Sequence, residues 1–177
     1  MHQQVREFCQ YVKRLHPGYF ADRTVLDCGS LDVNGNNRGL FDRCAYVGVD
    51  VGPGPNVDFV STIHTLGDEW KGQDVVISTE AFEHDKHCRD SIARMIELLA
   101  PGGLMVFTCA TTGRAEHGTE RSKNKWCAPL LSWEHYENVT WEMIHDLFAA
   151  DFPRYEVNAL NTDLRFWGIK RPGDALR

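Results

Sequence analysis

Residues 24–30 read TVLDCGS and residues 45–50 read AYVGVD. Both are short runs of β-branched and apolar residues, the composition of strands buried on two faces, and the first breaks at Gly29-Ser30 into the loop GSLDVNG. Asp50, which ends the second run, lies 23 residues beyond Asp27. That is close to the ~20-residue offset at which an acidic side chain on the second strand of a parallel sheet accepts hydrogen bonds from a ribose diol. A nucleoside-containing ligand at the carboxyl ends of the strands is the expectation. The glycines do not form G-x-G-x-x-G, because Gly29 is followed by Ser30, Leu31 and Asp32 while Gly35 and Gly39 come late. Asp32 would repel a pyrophosphate; a ligand that lacks phosphates and carries a positive centre is tolerated.

Outward from these two strands, helix and strand signals alternate along the whole chain, the signature of an α/β fold. Val5, Phe8, Cys9, Val12 and Leu15 recur at helical spacing, and His16-Pro17-Gly18 stops that helix. A short helix is expected at 36–41, a third strand at 57–60 and a fourth at 74–79 (DVVIST). Residues 87–100 place Ile92, Met95, Ile96 and Leu99 on one helical face, and Pro101-Gly102-Gly103 turn the chain into a fifth strand, LMVFTCA, at 104–110. Residues 111–140 are polar and irregular, with Trp126, Trp133 and Tyr136 interspersed and Trp141 directly after, either a minor core beneath the loop or a substrate wall. Thr140 reads as the N-cap of a helix over 141–151, and two late strands, 154–160 and 164–170, read as a hairpin around Asn161-Thr162-Asp163. The expected architecture is a doubly wound, Rossmann-like sheet of seven mostly parallel strands with an antiparallel C-terminal hairpin.

At 177 residues this is one domain over 1–177, divided into an N-terminal helix at 1–16, a ligand-binding core at 24–110, a substrate loop at 111–140 and a C-terminal helix and hairpin at 141–170. No apolar run exceeds four residues and the N-terminus lacks an apolar signal core, so no membrane association and a cytoplasmic location are expected. The net charge of −6 disfavours broad adhesion to polyanions, although Arg114, Arg121, Lys123 and Lys125 against Glu116 and Glu120 leave the loop at +2. Cys9, Cys28, Cys44, Cys88, Cys109 and Cys127 form no C-x-x-C pair and read as reduced packing thiols. The run His84 to Cys88, HDKHC, is the tightest metal-ligand candidate, and no metal is assigned to it.

The segments VLDCGSLDVNG, YVGVDVGPG, DVVISTEAFEHD and LLAPGGLMVFTCA, in that order and spacing, make the chain resemble the class I S-adenosylmethionine-dependent methyltransferases, in particular the compact type 11-like group. The resemblance spans about residues 24–110 and implies S-adenosyl-L-methionine as cofactor, with S-adenosyl-L-homocysteine as product. It implies that Asp27, Gly29, Ser30 and Leu31 hold the methionine moiety, that Asp50 takes the ribose hydroxyls, and that Val51 meets the adenine. Thr62 stands where the family often has an acidic residue, which leaves Thr62 and Ile63 as adenine contacts. Thr79 and Glu80 fall beside the sulfonium and amino-acid end.

Methyl transfer from a sulfonium needs no oxyanion hole; a base is needed only for a hydroxyl or a protonated amine. His117 is the candidate base, oriented by Glu116 or Glu83, with His84 beside Glu83 as a further catalytic candidate. The acceptor is expected to be a small molecule or saccharide-like compound methylated at oxygen or nitrogen. DNA is not expected, since STEAF replaces the Asn- or Asp-Pro-Pro-aromatic motif that DNA amino-methyltransferases share. RNA or protein methylation, and a cofactor-binding module without turnover, are the alternatives.

Overall fold

The computed structural model describes residues 2–122 and 134–173. Helix α1 (Gln3–Leu15) is followed by strands β1 (Thr24–Cys28), β2 (Ala45–Asp50), β3 (Phe59–Val60) and β4 (Gln73–Thr79), then helix α2 (Cys88–Leu98) and strand β5 (Leu99–Ala110). Helix α3 (Trp141–Ile144) and strands β6 (Arg154–Leu160) and β7 (Asp163–Ile169) complete the fold. All seven strands lie in one sheet of order β3-β2-β1-β4-β5-β7-β6. β7 is antiparallel to both of its neighbours, so the other six strands run in one direction. The order reverses at β1, which pairs with β2 on one side and β4 on the other, placing Asp27 between Gly48 and Ile77. Ligands of open α/β sheets bind outside the carboxyl ends of the strands at such a reversal.

The alternation of side chains along a strand divides the core into two layers. Val25, Val75, Ile77, Leu104, Val106 and Trp167 face α1, which answers with Val5, Phe8, Cys9 and Val12. On the other face Leu26, Val76, Met105, Phe107 and Phe166 pack against Ile92, Met95 and Ile96 of α2 and Ile144 of α3. Phe166 is the hub of that layer: its ring lies 5.0 Å from Phe107, 4.6 Å from Phe148 and 5.6 Å from Phe152, and Trp141 stacks at 5.9 Å. Aromatic pairs at these separations contribute beyond their buried area.

Several local expectations change. The helix expected at 36–41 is one 3₁₀ turn, Arg38–Leu40, and the strand expected at 57–60 shrinks to Phe59–Val60 because Asn56 adopts a left-handed φ of 69° and residues 54–58 fold as a turn. The helix expected at 141–151 is α-helical only over Trp141–Ile144 and continues as a 3₁₀ turn, His145–Leu147, where packing of Phe148 on Phe166 overrides propensity. Pro101-Gly102-Gly103 lies inside β5 as an irregularity: Gln73 pairs with Leu99 but Val75 pairs with Leu104. The hairpin turns on two residues rather than three, since Asn161 (φ 53°) and Thr162 (φ 66°) are both left-handed, as a type I′ turn requires, and Asp163 already pairs with Leu160.

Cys9, Cys28 and Cys109 are buried free thiols, and burial pushes all three up, Cys9 to about 12. Lys123, Lys125, Trp126, Cys127 and Trp133 lie outside the described residues. No helix among the described residues is long and apolar enough to cross a membrane.

Replacing Phe166 by alanine removes the hub of one core layer, and the expected cost is about 3–5 kcal/mol in urea-denaturation experiments. A loss under 1 kcal/mol would show that the ring cluster does not organise that layer.

Candidate active site

Three loops meet at the carboxyl edge where the strand order reverses. The loop after β1 begins at Gly29, whose φ of 78° is left-handed and whose amide donates to Val49 O at 2.8 Å. A Cβ on Gly29 would sit 2.3 Å from the Cβ of Ala81, so the absence of a side chain lets this loop touch the turn after β4. Asn37, 1% exposed, joins the same two loops by donating its Nδ2 to Thr79 Oγ1 at 3.0 Å.

The loops after β1 and β2 are clamped by polar side chains where a longer helix would otherwise pack. Ser30 Oγ donates to Asn56 O at 3.1 Å and Asn56 Nδ2 returns a bond to Ser30 O at 2.8 Å. Arg38 donates to Asn56 Oδ1 at 2.7 Å and to Asp58, and stacks over Tyr46 with its guanidinium 4.4 Å from the ring centre. Asp58 Oδ2 also accepts the Gly48 amide at 2.7 Å. Gly48 is required here: a Cβ would lie 2.1 Å from Asn56 O. Asp32 folds its own loop by accepting from the Gly35 amide and Asn36 Nδ2, both at 2.6 Å.

Asp50 stands at the rim of this crevice. Its Oδ2 accepts the Leu31 amide at 3.0 Å and its Oδ1 a long bond of 3.5 Å from the Gly52 amide. Burial raises its carboxyl above the usual range, partly offset by these amides. Asp27 is 1% exposed, alternates inward beside Tyr46, and accepts the Tyr46 hydroxyl; burial pushes it up to about 6. Its carboxyl thus ties β1 to β2 through Tyr46. Val51 follows Asp50, half-buried at the rim. Ile63 is 7% exposed and packed into the core, and the Thr62 hydroxyl bonds Thr65 Oγ1 at 2.6 Å within its own 3₁₀ turn.

The turn after β4 carries most of the charge. Glu80 adopts a left-handed φ of 56° and accepts Thr108 Oγ1 at 2.9 Å. His2, just ahead of α1, reaches across to Glu80 Oε2 at 3.2 Å and Asp163 Oδ1 at 3.4 Å. Arg114 donates to Asp163 and to Thr162 Oγ1 (2.8 Å), and Arg165 donates to Asp163 Oδ2 at 3.0 Å. Burial raises the Asp163 carboxyl, but its bonds to His2 and Arg165 prevail and hold it below the usual range. The Arg114 guanidinium is also near His2, at 3.3 Å; the two carboxylates outweigh it and their hydrogen bonds raise the imidazole to about 9.

Beyond Glu80, the 3₁₀ turn Phe82–His84 buries Glu83 completely. Neither of its carboxyl oxygens has a hydrogen-bond partner among the described residues, and burial, with Glu80 nearby, outweighs the backbone amides of Glu83 and Ala110 and pushes the group well above the usual range. An unsatisfied buried group of this kind costs about 1–3 kcal/mol. His84, lowered to about 4 by burial and by His117, lies edge-on to His117 with ring centres 5.0 Å apart, and Tyr136 completes the group at 5.5 Å and 4.9 Å from the two rings. His117 Nδ1 donates to Ala115 O at 3.1 Å, which leaves the lone pair on Nε2. Glu116 does not orient it: its Oε1 accepts Thr119 Oγ1 at 2.7 Å and Arg121 Nε at 2.6 Å. Glu83, His84 and His117 are brought together, each offering a donor atom within 4.8 Å of the others.

No protein-family model and no curated protein matches the sequence. Solved structures do. The Burkholderia thailandensis 1,6-didemethyltoxoflavin-N1-methyltransferase, with S-adenosylhomocysteine bound, superposes with a TM-score of 0.63 at 18% identity over 92% of this chain and 76% of its own. The N-methyltransferase NodS from Bradyrhizobium japonicum WM9, in complex with S-adenosyl-L-homocysteine, gives 0.61 at 16% identity over 93% and 86%. The chain has the class I methyltransferase fold. Haemonchus contortus phosphoethanolamine N-methyltransferase 2, in complex with S-adenosyl-L-methionine, gives 0.65 at 16% identity, matching 95% of this chain but 53% of that one.

Within this methyltransferase fold, sequence reading alone missed His2, Asn37, Tyr46, Asn56, Arg114 and Asp163. Strand alternation could have found Tyr46, two residues before Gly48 on the Asp27 side of the sheet, and the GPGPN turn pointed to Asn56. His2 and Asp163 meet only through tertiary packing.

The raised His2 imidazole makes α1 docking pH-dependent. Because its folded value of about 9 exceeds the free value of 6.5, the stabilisation from Glu80 and Asp163 is full below 6.5 and fades as pH rises through 9. Thermal melts from pH 6.5 to 9.5 are expected to show a falling Tm in the wild type and a flatter profile in His2→Gln; equal slopes would remove His2 from the linkage.

Proposed function

We propose that the chain transfers a methyl group from S-adenosyl-L-methionine to an oxygen or nitrogen of a small-molecule or saccharide-like acceptor. The observation that carries this reading is Asp50 at the end of β2, bonded by backbone amides alone among the described residues and packed against the Gly29–Leu31 loop at the strand-order reversal. An ionised carboxylate can accept about four hydrogen bonds, so those amides leave capacity for two ribose hydroxyls. The donor set fits the rest of such a ligand: the loop at 29–32 carries Asp32 and no basic side chain, which suits a sulfonium better than a phosphate. The 1,6-didemethyltoxoflavin-N1-methyltransferase and the phosphoethanolamine N-methyltransferase of the same fold support a compact acceptor.

When bound, the cofactor supplies a methyl group on a sulfonium whose positive charge disappears as the methyl leaves. Gly29, Ser30 and Leu31 would line the methionine moiety through backbone groups, with Thr79 and Glu80 beside its amino-acid end. The proton that a hydroxyl or ammonium acceptor gives up goes to His117 Nε2, whose orientation is set by Ala115 O and by the rings of His84 and Tyr136. Residues 111–122, tied at Thr111 to Thr162 O, and residues 134–140, tied at Glu137 to Glu83 O, flank that histidine and form the acceptor side.

Isothermal calorimetry with S-adenosyl-L-methionine is expected to show binding that Asp50→Ala weakens roughly 10- to 100-fold, the loss of one or two bonds to a charged acceptor. Unchanged affinity would remove Asp50 from the ribose site. With a labelled methyl donor and a panel of amines, phenols and sugars, His117→Ala is expected to lower the transfer rate about a hundredfold or more while leaving donor affinity unchanged. Transfer at the wild-type rate would eliminate His117 as proton acceptor.

A further inference from the structure

Two clusters of potential metal ligands lie at the carboxyl edge among the described residues: His2, Glu80 and Asp163, and Glu83, His84 and His117. They differ in how their charge is met. Glu80 and Asp163 in the first cluster are neutralised by protein groups, since His2, Arg114 and Arg165 all bond or pair with them. An additional cation there would have to displace arginines. The second cluster holds a fully buried carboxyl group with both oxygens unpartnered among the described residues, and one of them lies within 4.8 Å of a ring nitrogen of each of two histidines.

We propose that Glu83, His84 and His117 form a binding site for a divalent first-row transition-metal ion, with an open coordination position toward the acceptor side. One carboxylate and two imidazoles make a mixed N,N,O set of the kind that suits zinc, iron or cobalt rather than calcium or magnesium. Metal bonds of about 2.0–2.2 Å require donor atoms roughly 3–3.5 Å apart, so atoms already within 4.8 Å of one another have about 1–2 Å left to close. The surroundings suit ligation. The His117 Nδ1–H bond to Ala115 O is the outer-shell contact that fixes a ligating tautomer, and the Glu137 amide bonded to Glu83 O at 2.9 Å holds the turn in place. Three protein ligands leave positions for an exogenous oxygen or nitrogen. His117 Nε2 would hold the ion when it is bound and take the proton when it is not, and a bound ion would supply Lewis-acid polarisation of an acceptor oxygen. That acceptor role rests on the methyltransferase reading; the metal site itself does not.

The test uses the full chain stripped of metal by chelation and titrated with Co²⁺, followed by visible d–d absorption, with S-adenosyl-L-methionine calorimetry in parallel. One equivalent of Co²⁺ is expected to produce ligand-field bands, and Glu83→Gln, His84→Ala and His117→Ala are each expected to weaken binding at least tenfold. His145→Ala, an exposed histidine elsewhere, is expected to leave it unchanged. Far-ultraviolet circular dichroism establishes that each variant is folded, and the near-isosteric Glu83→Gln keeps the test decisive if a histidine variant fails to fold. Absence of bands, or equal affinity in wild type and folded Glu83→Gln, overturns the site. Donor binding without cobalt binding refutes the metal site alone, whereas cobalt binding without donor binding refutes the methyltransferase reading alone.

Discussion

The geometry of the carboxyl edge depends on how closely the loop after β1 approaches the turn after β4. Gly29 and Ala81 meet at a distance that admits no side chain on Gly29, and Asn37 bridges the same gap to Thr79. With the two loops closed, Glu80 is held at the rim by Thr108 and His2, and the turn that follows must descend into the core, carrying Glu83 with it. The rim stays polar and the floor becomes dry, two environments that treat carboxylates in opposite ways. Asp163 is held below the usual range by its bonds to His2 and Arg165, whereas burial drives Glu83 toward its neutral form.

The chain builds this edge with few helices. Between β1 and β2 there is only the Arg38–Leu40 turn, and β3 contributes two paired residues. The Ser30–Asn56–Arg38–Asp58 clamp does the work of a packed crossover, and it does so with directional bonds. A helix packed through apolar contacts can slide by fractions of an ångström. A reciprocal pair such as Ser30 and Asn56 fixes one register, and Gly48 beneath it leaves no slack.

The sheet was legible because its strands are apolar runs punctuated by glycine and proline, and because α1 and α2 carry strong helical periodicity. The boundaries that failed are those where side chains compete with the backbone, at Asn56 and at the Trp141–Leu147 stretch. In the candidate site, the position of Asp50 and the convergence of Glu83, His84 and His117 followed from where the strands end. The surroundings of Asp27, Ile63 and Glu116 were not legible, because each depends on which way a side chain faces. Asp27 turns toward Tyr46, Ile63 toward the core, and Glu116 toward Arg121. His2 and Asp163 lie far apart in the sequence and are joined only by the fold, beyond the reach of any local pattern.

The two-residue turn at Asn161 and Thr162 sets where the segment carrying His117 begins. Thr162 offers its carbonyl to Thr111 and its hydroxyl to Arg114, so the tip of the hairpin is the anchor from which the chain runs to His117. One added residue there would displace that anchor by about 3.4 Å, the rise of a single strand position, and carry the histidine with it. Hairpin length is thus a coarse adjustment for the position of His117, and the residues of the 111–122 segment are the fine one. Asp50 stands on β2, at the far side of the strand order from β7 and β6, and neither adjustment reaches it.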